Sequence, residues 1–270
     1  MDTAVVSERA IGVFDSGVGG LTVLKELSRL LPDEELIYLG DTARVPYGTK
    51  SGSTVTRYAQ EAAGFLTALG VKVLVVACNT ASAVALPVLE ERFQIPVFGV
   101  IQPGAARAVQ LTHSRRVGVI GTEGTIKSSA YTRAIQALDS RIQVSTTACP
   151  LFVPLAEEGW SEHPIARLVA QEYLTGLAAE KIDALVLGCT HYPLLKLILG
   201  DFFGPEVALV DSAEETAATV ARALAEQDLL RRSPPGPHRF FVTDVPERFE
   251  RVGGTFWGAP LGGVKQVEIG

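Results

Sequence analysis

Val73-Leu74-Val75-Val76-Ala77-Cys78-Asn79-Thr80-Ala81-Ser82 decides how this 270-residue chain is read. Its opening run is apolar and mostly β-branched, the pattern of a strand covered on both faces in a parallel sheet. The run then breaks at small polar residues that suit the start of a helix. The same figure recurs along the chain. Residues 11–14 run into Asp15-Ser16-Gly17-Val18-Gly19-Gly20, with helical spacing following at Leu21, Leu24, Leu27 and Leu30. Residues 36–39 end in Gly40-Asp41-Thr42, and residues 97–101 are closed by Gln102-Pro103-Gly104. Residues 117–120 end in Gly121-Thr122-Glu123-Gly124-Thr125, residues 184–187 in Gly188-Cys189-Thr190-His191, and residues 208–210 in Asp211-Ser212. Short apolar strands alternating with helices define an α/β protein with mostly parallel sheets.

The series starts again halfway along. A shift of 106 residues lays Ser16 on Thr122, and a shift of 111 lays Cys78 on Cys189 and Phe98 on Leu209. Three matches in one order, one of them pairing two cysteines, read as an internal duplication with small insertions between elements. After the second series, residues 214–230 read as an amphipathic, alanine-rich helix. Residues 231–238 (RRSPPGPH) read as a rigid, exposed connector, and the tail carries a strand-like Phe240-Phe241-Val242-Thr243 and a glycine-rich stretch around Trp257. That tail is too short for a domain of its own and is expected to pack on the first half.

Composition narrows the function. Net charge is −6, and the only basic clusters, Arg115-Arg116 and Arg231-Arg232, read as solvated loop ends, so no nucleic-acid partner is expected. No apolar run is long enough to span a membrane, and the first ten residues lack the pattern of a secretory signal. Three cysteines, an odd count, without an export signal imply reduced thiols in the cytoplasm and not a disulfide framework.

Ligands of open parallel sheets bind beyond the carboxyl ends of the strands. Asp15, Ser16, Cys78, Asn79, Thr80, Thr122, Cys189, Thr190 and His191 all fall there. Cys78 and Cys189 hold equivalent places, each just past a buried strand and before a helix whose N-terminus favours the thiolate. Taken singly, either cysteine reads as a small core residue; as an equivalent pair they read as chemistry. Two thiols across a cleft suit the removal of a proton from one face of a stereocentre and its return on the other, with hydrogen-bond donors stabilising the carbanion. Asp15 is either a helix cap or a group that orients a cysteine or holds an ammonium. His191 is either a satisfied surface histidine or a partner of Cys189. Asn79, Thr80 and Thr190 are ordinary caps or donors to a carboxylate. Cys149 has no counterpart and reads as structural. The glycines after Asp15 match the dinucleotide fingerprint poorly, since Thr22 stands where its last glycine belongs, and no phosphate-binding loop follows. Cys78, Cys189, His191 and Asp15 could together hold zinc, but the close cysteine pairs of zinc sites are missing, so no metal is expected. A two-lobed protein that only binds an amino acid also remains open at this level.

The motifs together resemble the glutamate racemases of the aspartate/glutamate racemase superfamily, over residues 11–220. The resemblance is carried by Phe14-Asp15-Ser16-Gly17-Val18-Gly19-Gly20-Leu21-Thr22, by Gly40-Asp41-Thr42 through Pro46-Tyr47-Gly48, and by Ala77-Cys78-Asn79-Thr80-Ala81-Ser82. It continues through Gly121-Thr122, Gly124-Thr125 and Pro150-Leu151 to Gly188-Cys189-Thr190-His191-Tyr192-Pro193. It implies two similar, pseudo-symmetric α/β domains with the active site at their interface. The first would be discontinuous, residues 1–102 plus 212–270, and the second residues 103–211. It implies an isomerase that racemises glutamate without a cofactor, supplying D-glutamate for peptidoglycan of the cell wall. Cys78 would act on D-glutamate and Cys189 on L-glutamate. Asp15 would assist Cys78; His191 and a glutamate near Gly159 would assist Cys189, Glu157 fitting best with Glu158 adjacent. Asp15, Ser16, Tyr47, Gly48, Asn79, Thr80, Thr190 and His191 would contact substrate, with Thr122 and Thr125 adding hydroxyls. Members of the family are commonly dimers, which makes a homodimer the expectation. Aspartate or a hydantoin would serve the same pair of thiols and is the nearest rival substrate.

Overall fold

A computed structural model describes residues 3–270; residues 1 and 2, at the edge of the expected first domain, lie outside it. After a short helix α1 (Thr3–Ser7), strand β1 (Ile11–Asp15) leads into α2 (Leu21–Leu30) and β2 (Leu36–Gly40) into two 3₁₀ turns and α3 (Gly52–Ala68). Strand β3 (Val73–Val76) is followed by α4 (Asn79–Arg92), and β4 (Val97–Gly99) by α5 (Ile101–Leu111). The second series is β5 (Arg116–Gly121), α6 (Glu123–Ser128), α7 (Ala130–Leu138), β6 (Gln143–Ala148), α8 (Phe152–Glu157), α9 (Pro164–Ala179), β7 (Ala184–Gly188), α10 (Lys196–Phe203) and β8 (Ala208–Asp211). Helix α11 (Ser212–Glu226), β9 (Arg239–Val242), α12 (Pro246–Trp257) and β10 (Lys265–Gln266) complete the chain.

Two parallel sheets result, with strand orders β10-β9-β2-β1-β3-β4 and β6-β5-β7-β8. The second order repeats β2-β1-β3-β4 of the first, which is the architecture expected of a duplication. The register agrees at the central strands: Ile11 lies beside Val73, and Val117 beside Ala184. It also corrects one match. Val75 pairs with Phe98 while Val186 pairs with Val210, so Phe98 corresponds to Val210, one residue beyond Leu209. The repeat extends to packing. Gly12 and Gly118 occupy equivalent places, and a methyl added at either would lie 3.0 Å from Val71 or 2.5 Å from Ile182.

Strands β1, β2, β3 and β7 are buried throughout, which is why they read as unbroken apolar runs. Strand β6 was not visible as such: Gln143-Val144-Ser145-Thr146-Thr147-Ala148 pairs on one edge only and has no fully buried residue. Three boundaries differ from expectation. Strand β4 stops at Gly99, and Ile101-Gln102-Pro103-Gly104 already belongs to α5, where proline in the first turn sacrifices no helical hydrogen bond. Helix α11 starts at Ser212, with Asp211 accepting from the Ala213 N–H at 2.8 Å, and ends at Glu226, well short of residue 230. The glycine-rich stretch before Trp257 is helix α12, whose buried face is Phe249, Gly253 and Phe256; Gly253 lets it close on Leu21 of α2. Arg231 is likewise no solvated loop end. Its side chain is buried and pairs with Glu8 and Glu35, whereas Arg115, Arg116 and Arg232 are exposed as expected. The tail packs on the first sheet, β9 lying parallel against β2.

Candidate active site

The carboxyl ends of β1 and β3 deliver Asp15 and Cys78 side by side. Asp15 is buried, and its Oδ2 accepts the Gly17 N–H at 2.9 Å. Burial holds its carboxyl above the usual carboxylate range, opposed by the charge of His191. Cys78 sits at the N-cap of α4, and its Sγ donates to Ser16 Oγ at 3.7 Å. The helix N-terminus was expected to lower this thiol. Burial pushes it up to about 12 instead, with the charge of Asp15 adding to the rise. A helix terminus offers about half a charge, too little to offset loss of water on all sides.

The carboxyl end of β7 delivers Cys189, Thr190 and His191, all buried. His191 Nδ1 lies 3.8 Å from Cys189 Sγ, and Nε2 lies 3.1 Å from Glu157 Oε1 at the end of α8. Glu158 is exposed, so of the two adjacent glutamates it is Glu157 that the fold brings here. Burial alone would lower the imidazole; hydrogen bonds to Cys189 and Glu157 and the charges of Cys189 and Asp15 outweigh it and raise His191 to about 10. At neutral pH it is therefore an imidazolium, a buried countercharge beside a sulfur. The partnership also draws Glu157 below its ordinary range, chiefly through the His191 hydrogen bond. Its other oxygen takes Arg248 of α12 at 3.0 Å.

The halves meet closely. Thr22 Oγ1 donates to the Thr190 carbonyl at 3.1 Å, and the Thr190 hydroxyl reaches Asp15 Oδ1 at 3.5 Å. Gly19 has to be glycine, since an added Cβ would stand 2.4 Å from His191 Nδ1. Thr80, Thr122 and Thr125 form a hydroxyl triangle with sides of 2.9, 3.3 and 3.1 Å. Between these groups lies a small cavity of about 50 Å³. Its wall includes Ser16, Tyr47, Gly48, Cys78, Asn79, Thr80, Thr122, Cys189, Thr190 and His191. Asp15 stands behind the wall, linked to it through Thr190, and Glu157 stands behind His191. Tyr47 contributes its ring, because its hydroxyl is turned to the buried Asp41, which Arg44 and Thr243 also hold. Cys149 is buried outside this wall. Among the described residues no group of three or more His, Cys, Asp or Glu side chains is placed to hold a metal ion.

Two neighbours of the site escaped the sequence reading. Arg248 lies in the tail, far from Glu157 along the chain, and Tyr131 lies in α7. Tyr131 carried a signal in hindsight, an aromatic hydroxyl that must find a partner once buried.

The arrangement presents two thiols to one small space, each beside a different ionisable partner, with amide and hydroxyl donors around it. A sequence model of the Asp/Glu/Hydantoin racemase family matches residues 11–220. The chain is 61% identical over 262 residues to a glutamate racemase of Geobacter metallireducens, covering 97% of each. Among solved structures it is similar to glutamate racemase from Francisella tularensis in complex with D-glutamate, at 41% identity and TM-score 0.92, covering 97% of this chain and 98% of that one. It is also similar to glutamate racemase from Thermus thermophilus in complex with β-chloro-D-alanine, at 50% identity and TM-score 0.89, covering 97% of each.

Proposed function

The chain belongs to the Asp/Glu/Hydantoin racemase family, and we propose that it interconverts L- and D-glutamate without a cofactor, moving the α-proton between Cys78 and Cys189. The observation that carries this reading is the shared cavity: two cysteines from the equivalent strands of two duplicated sheets line the same space. With D-glutamate bound, the Cys78 thiolate takes the α-proton and Cys189 delivers its own to the opposite face, leaving a Cys78 thiol and a Cys189 thiolate. The L-to-D direction reverses both transfers. Asn79, Thr80, Ser16 and Thr190 supply donors to the substrate carboxylates, and Asp15, behind the wall, acts through Thr190 and through its charge beside Cys78. In this proposal the closing lobes are residues 1–102 with 212–270, and 103–211, a division supported by the membership of the two sheets.

The raised thiol fits this scheme. Ionising a thiol of pKa about 12 at pH 7 costs about 7 kcal/mol. An ammonium about 4 Å from the sulfur returns about 4 kcal/mol at an effective dielectric of about 20. The substrate itself thus supplies most of the charge that makes Cys78 a base, and the free enzyme keeps a neutral, unreactive thiol. On the other side His191 provides a permanent cation for Cys189.

The reading makes the protein a cytoplasmic source of D-glutamate for peptidoglycan, working as a homodimer. No described helix is long and apolar enough to cross a membrane. Circular dichroism of L- and D-glutamate solutions tests the reaction: each should decay to zero ellipticity, and in heavy water each should gain deuterium at the α-carbon. Faster decay of aspartate than of glutamate, or no deuterium uptake, ends this assignment.

A further inference from the structure

Asn79 is buried at the cavity wall, and the two ends of its amide are in different situations. Its Oδ1 accepts a hydrogen bond from the Tyr131 hydroxyl at 2.7 Å. Its Nδ2 is buried without a hydrogen-bond partner in the protein. A buried amide nitrogen left without an acceptor is costly, and such a group in a native fold marks a place where something else supplies the acceptor.

Which end of an amide faces a cavity is decided by its other contacts. The Tyr131 hydroxyl donates to Oδ1, so the oxygen end of the amide is the end turned to Tyr131 and Nδ2 is the end left without a partner. The ring is held in a slot that tolerates no extra atom. A methyl on Gly104 would lie 3.2 Å from the ring, and one on Gly188 would lie 3.1 Å from it. Tyr131 is itself buried, from α7 of the second series, while Asn79 opens α4 of the first.

We propose that Tyr131 is a positioning residue for the racemisation: by occupying Asn79 Oδ1 it locks the amide with its NH₂ group toward the substrate, where it donates to a carboxylate oxygen. This rests on the glutamate reading above. A flipped amide would present an acceptor to an anion, so the lock converts a two-faced side chain into a dedicated donor. It also makes the donor depend on the second lobe being seated against the first.

Racemisation kinetics in a double-mutant cycle test it. Tyr131→Phe removes one oxygen and should lower kcat/KM about tenfold, with most of the change in KM and little in kcat. Asn79→Ala should lower it further, and Tyr131→Phe added to Asn79→Ala should cost nothing more. Losses that multiply, or a silent Tyr131→Phe, overturn the proposal. A second measurement needs no turnover: the side-chain amide resonance of Asn79, identified by its disappearance in Asn79→Ala, should shift and broaden in ligand-free Tyr131→Phe. An unmoved resonance overturns the lock even if glutamate proves not to be the substrate, whereas a moved resonance without glutamate turnover overturns only the substrate. If Tyr131→Phe does not fold, the parent protein decides: its Asn79 side-chain NH₂ resonance should shift on addition of D-glutamate, and an unmoved resonance counts equally against the proposal.

Discussion

The Cys78 side and the Cys189 side of the cavity sit on sheets of the same strand order and are electrostatic opposites. The strands that carry them keep the same order and neighbours. The segments just past those strands have diverged. Cys78 is followed by Asn79 and Thr80, and Cys189 by Thr190 and His191, so an imidazolium stands where the first unit has a neutral hydroxyl. The first side has a carboxylate, Asp15, where the same shift in the second unit falls on Gly121. Cys78, raised to about 12 chiefly by burial, has the charge of Asp15 adding to the rise, while Cys189 faces a cation 3.8 Å away. A symmetric scaffold brings two thiols to one point. The asymmetric partners then suit a chiral substrate, whose ammonium has to lie on one side.

The largest effects should come from the sulfurs. Cys78→Ser and Cys189→Ser should each lower racemisation by about 10²- to 10⁴-fold, the usual contribution of a positioned acid or base. They should break differently. In heavy water Cys78→Ser should still exchange the α-proton of L-glutamate with retention, and Cys189→Ser that of D-glutamate. Identical exchange patterns would erase the division of labour.

Asp15→Asn comes next. Turnover should fall by about 10- to 100-fold as the site loses the buried carboxyl that holds Thr190 and stands beside Cys78. Because the charge of Asp15 helps raise Cys78, the thiol of the ligand-free variant should titrate at lower pH. Thiolate absorbance in a background lacking Cys149 and Cys189 measures it. An unchanged midpoint would remove Asp15 from the electrostatics of Cys78.

On the opposite side, His191→Asn should change how stability depends on pH. The folded-state value of about 10 lies above the ordinary 6.5, so the protonated imidazole contributes stability that is fully present below pH 6.5 and is lost as pH rises through about 10. Urea midpoints of the parent should therefore fall relative to those of the variant between those limits. Parallel curves would mean that folding leaves the proton affinity of His191 unchanged.

The smallest effects test the scaffold's symmetry. Gly12→Ala and Gly118→Ala should both destabilise, by about 1 to 3 kcal/mol for a crowded core, with the second costing more because its nearest atom is 2.5 Å away against 3.0 Å. Thermal unfolding ranks them, and a neutral result at either would show that the equivalent packing is not under strain.

Much of this was legible in the residues. Unbroken apolar runs ending in polar residues at Asp15, Cys78 and Cys189 marked parallel strands and put the site at their carboxyl ends, because burial on both faces leaves a local trace. Strand β6 left none, since an edge strand with solvent beside it tolerates Gln, Ser and Thr. Helix α12 was hidden by Gly253 and Gly254, which suggest a loop until the neighbouring Leu21 explains the need for a small residue. The preference for Glu157 over Glu158 rested on the family resemblance alone, since residue chemistry does not tell which of two adjacent glutamates faces inward. Tyr131 and Arg248 could not be assigned to the site, since each meets its partner across a long stretch of chain.

From the sequence alone came the strand-and-helix alternation, its repetition, and the pairing of two cysteines at equivalent positions. Those are properties of hydrophobic period and residue order, which are local. The tertiary structure decided the ionisation of Cys78, the glutamate that turns to His191, and the direction of the Asn79 amide. Each of these depends on which distant groups exclude water or supply charge within a few ångströms, and only the folded chain puts them there.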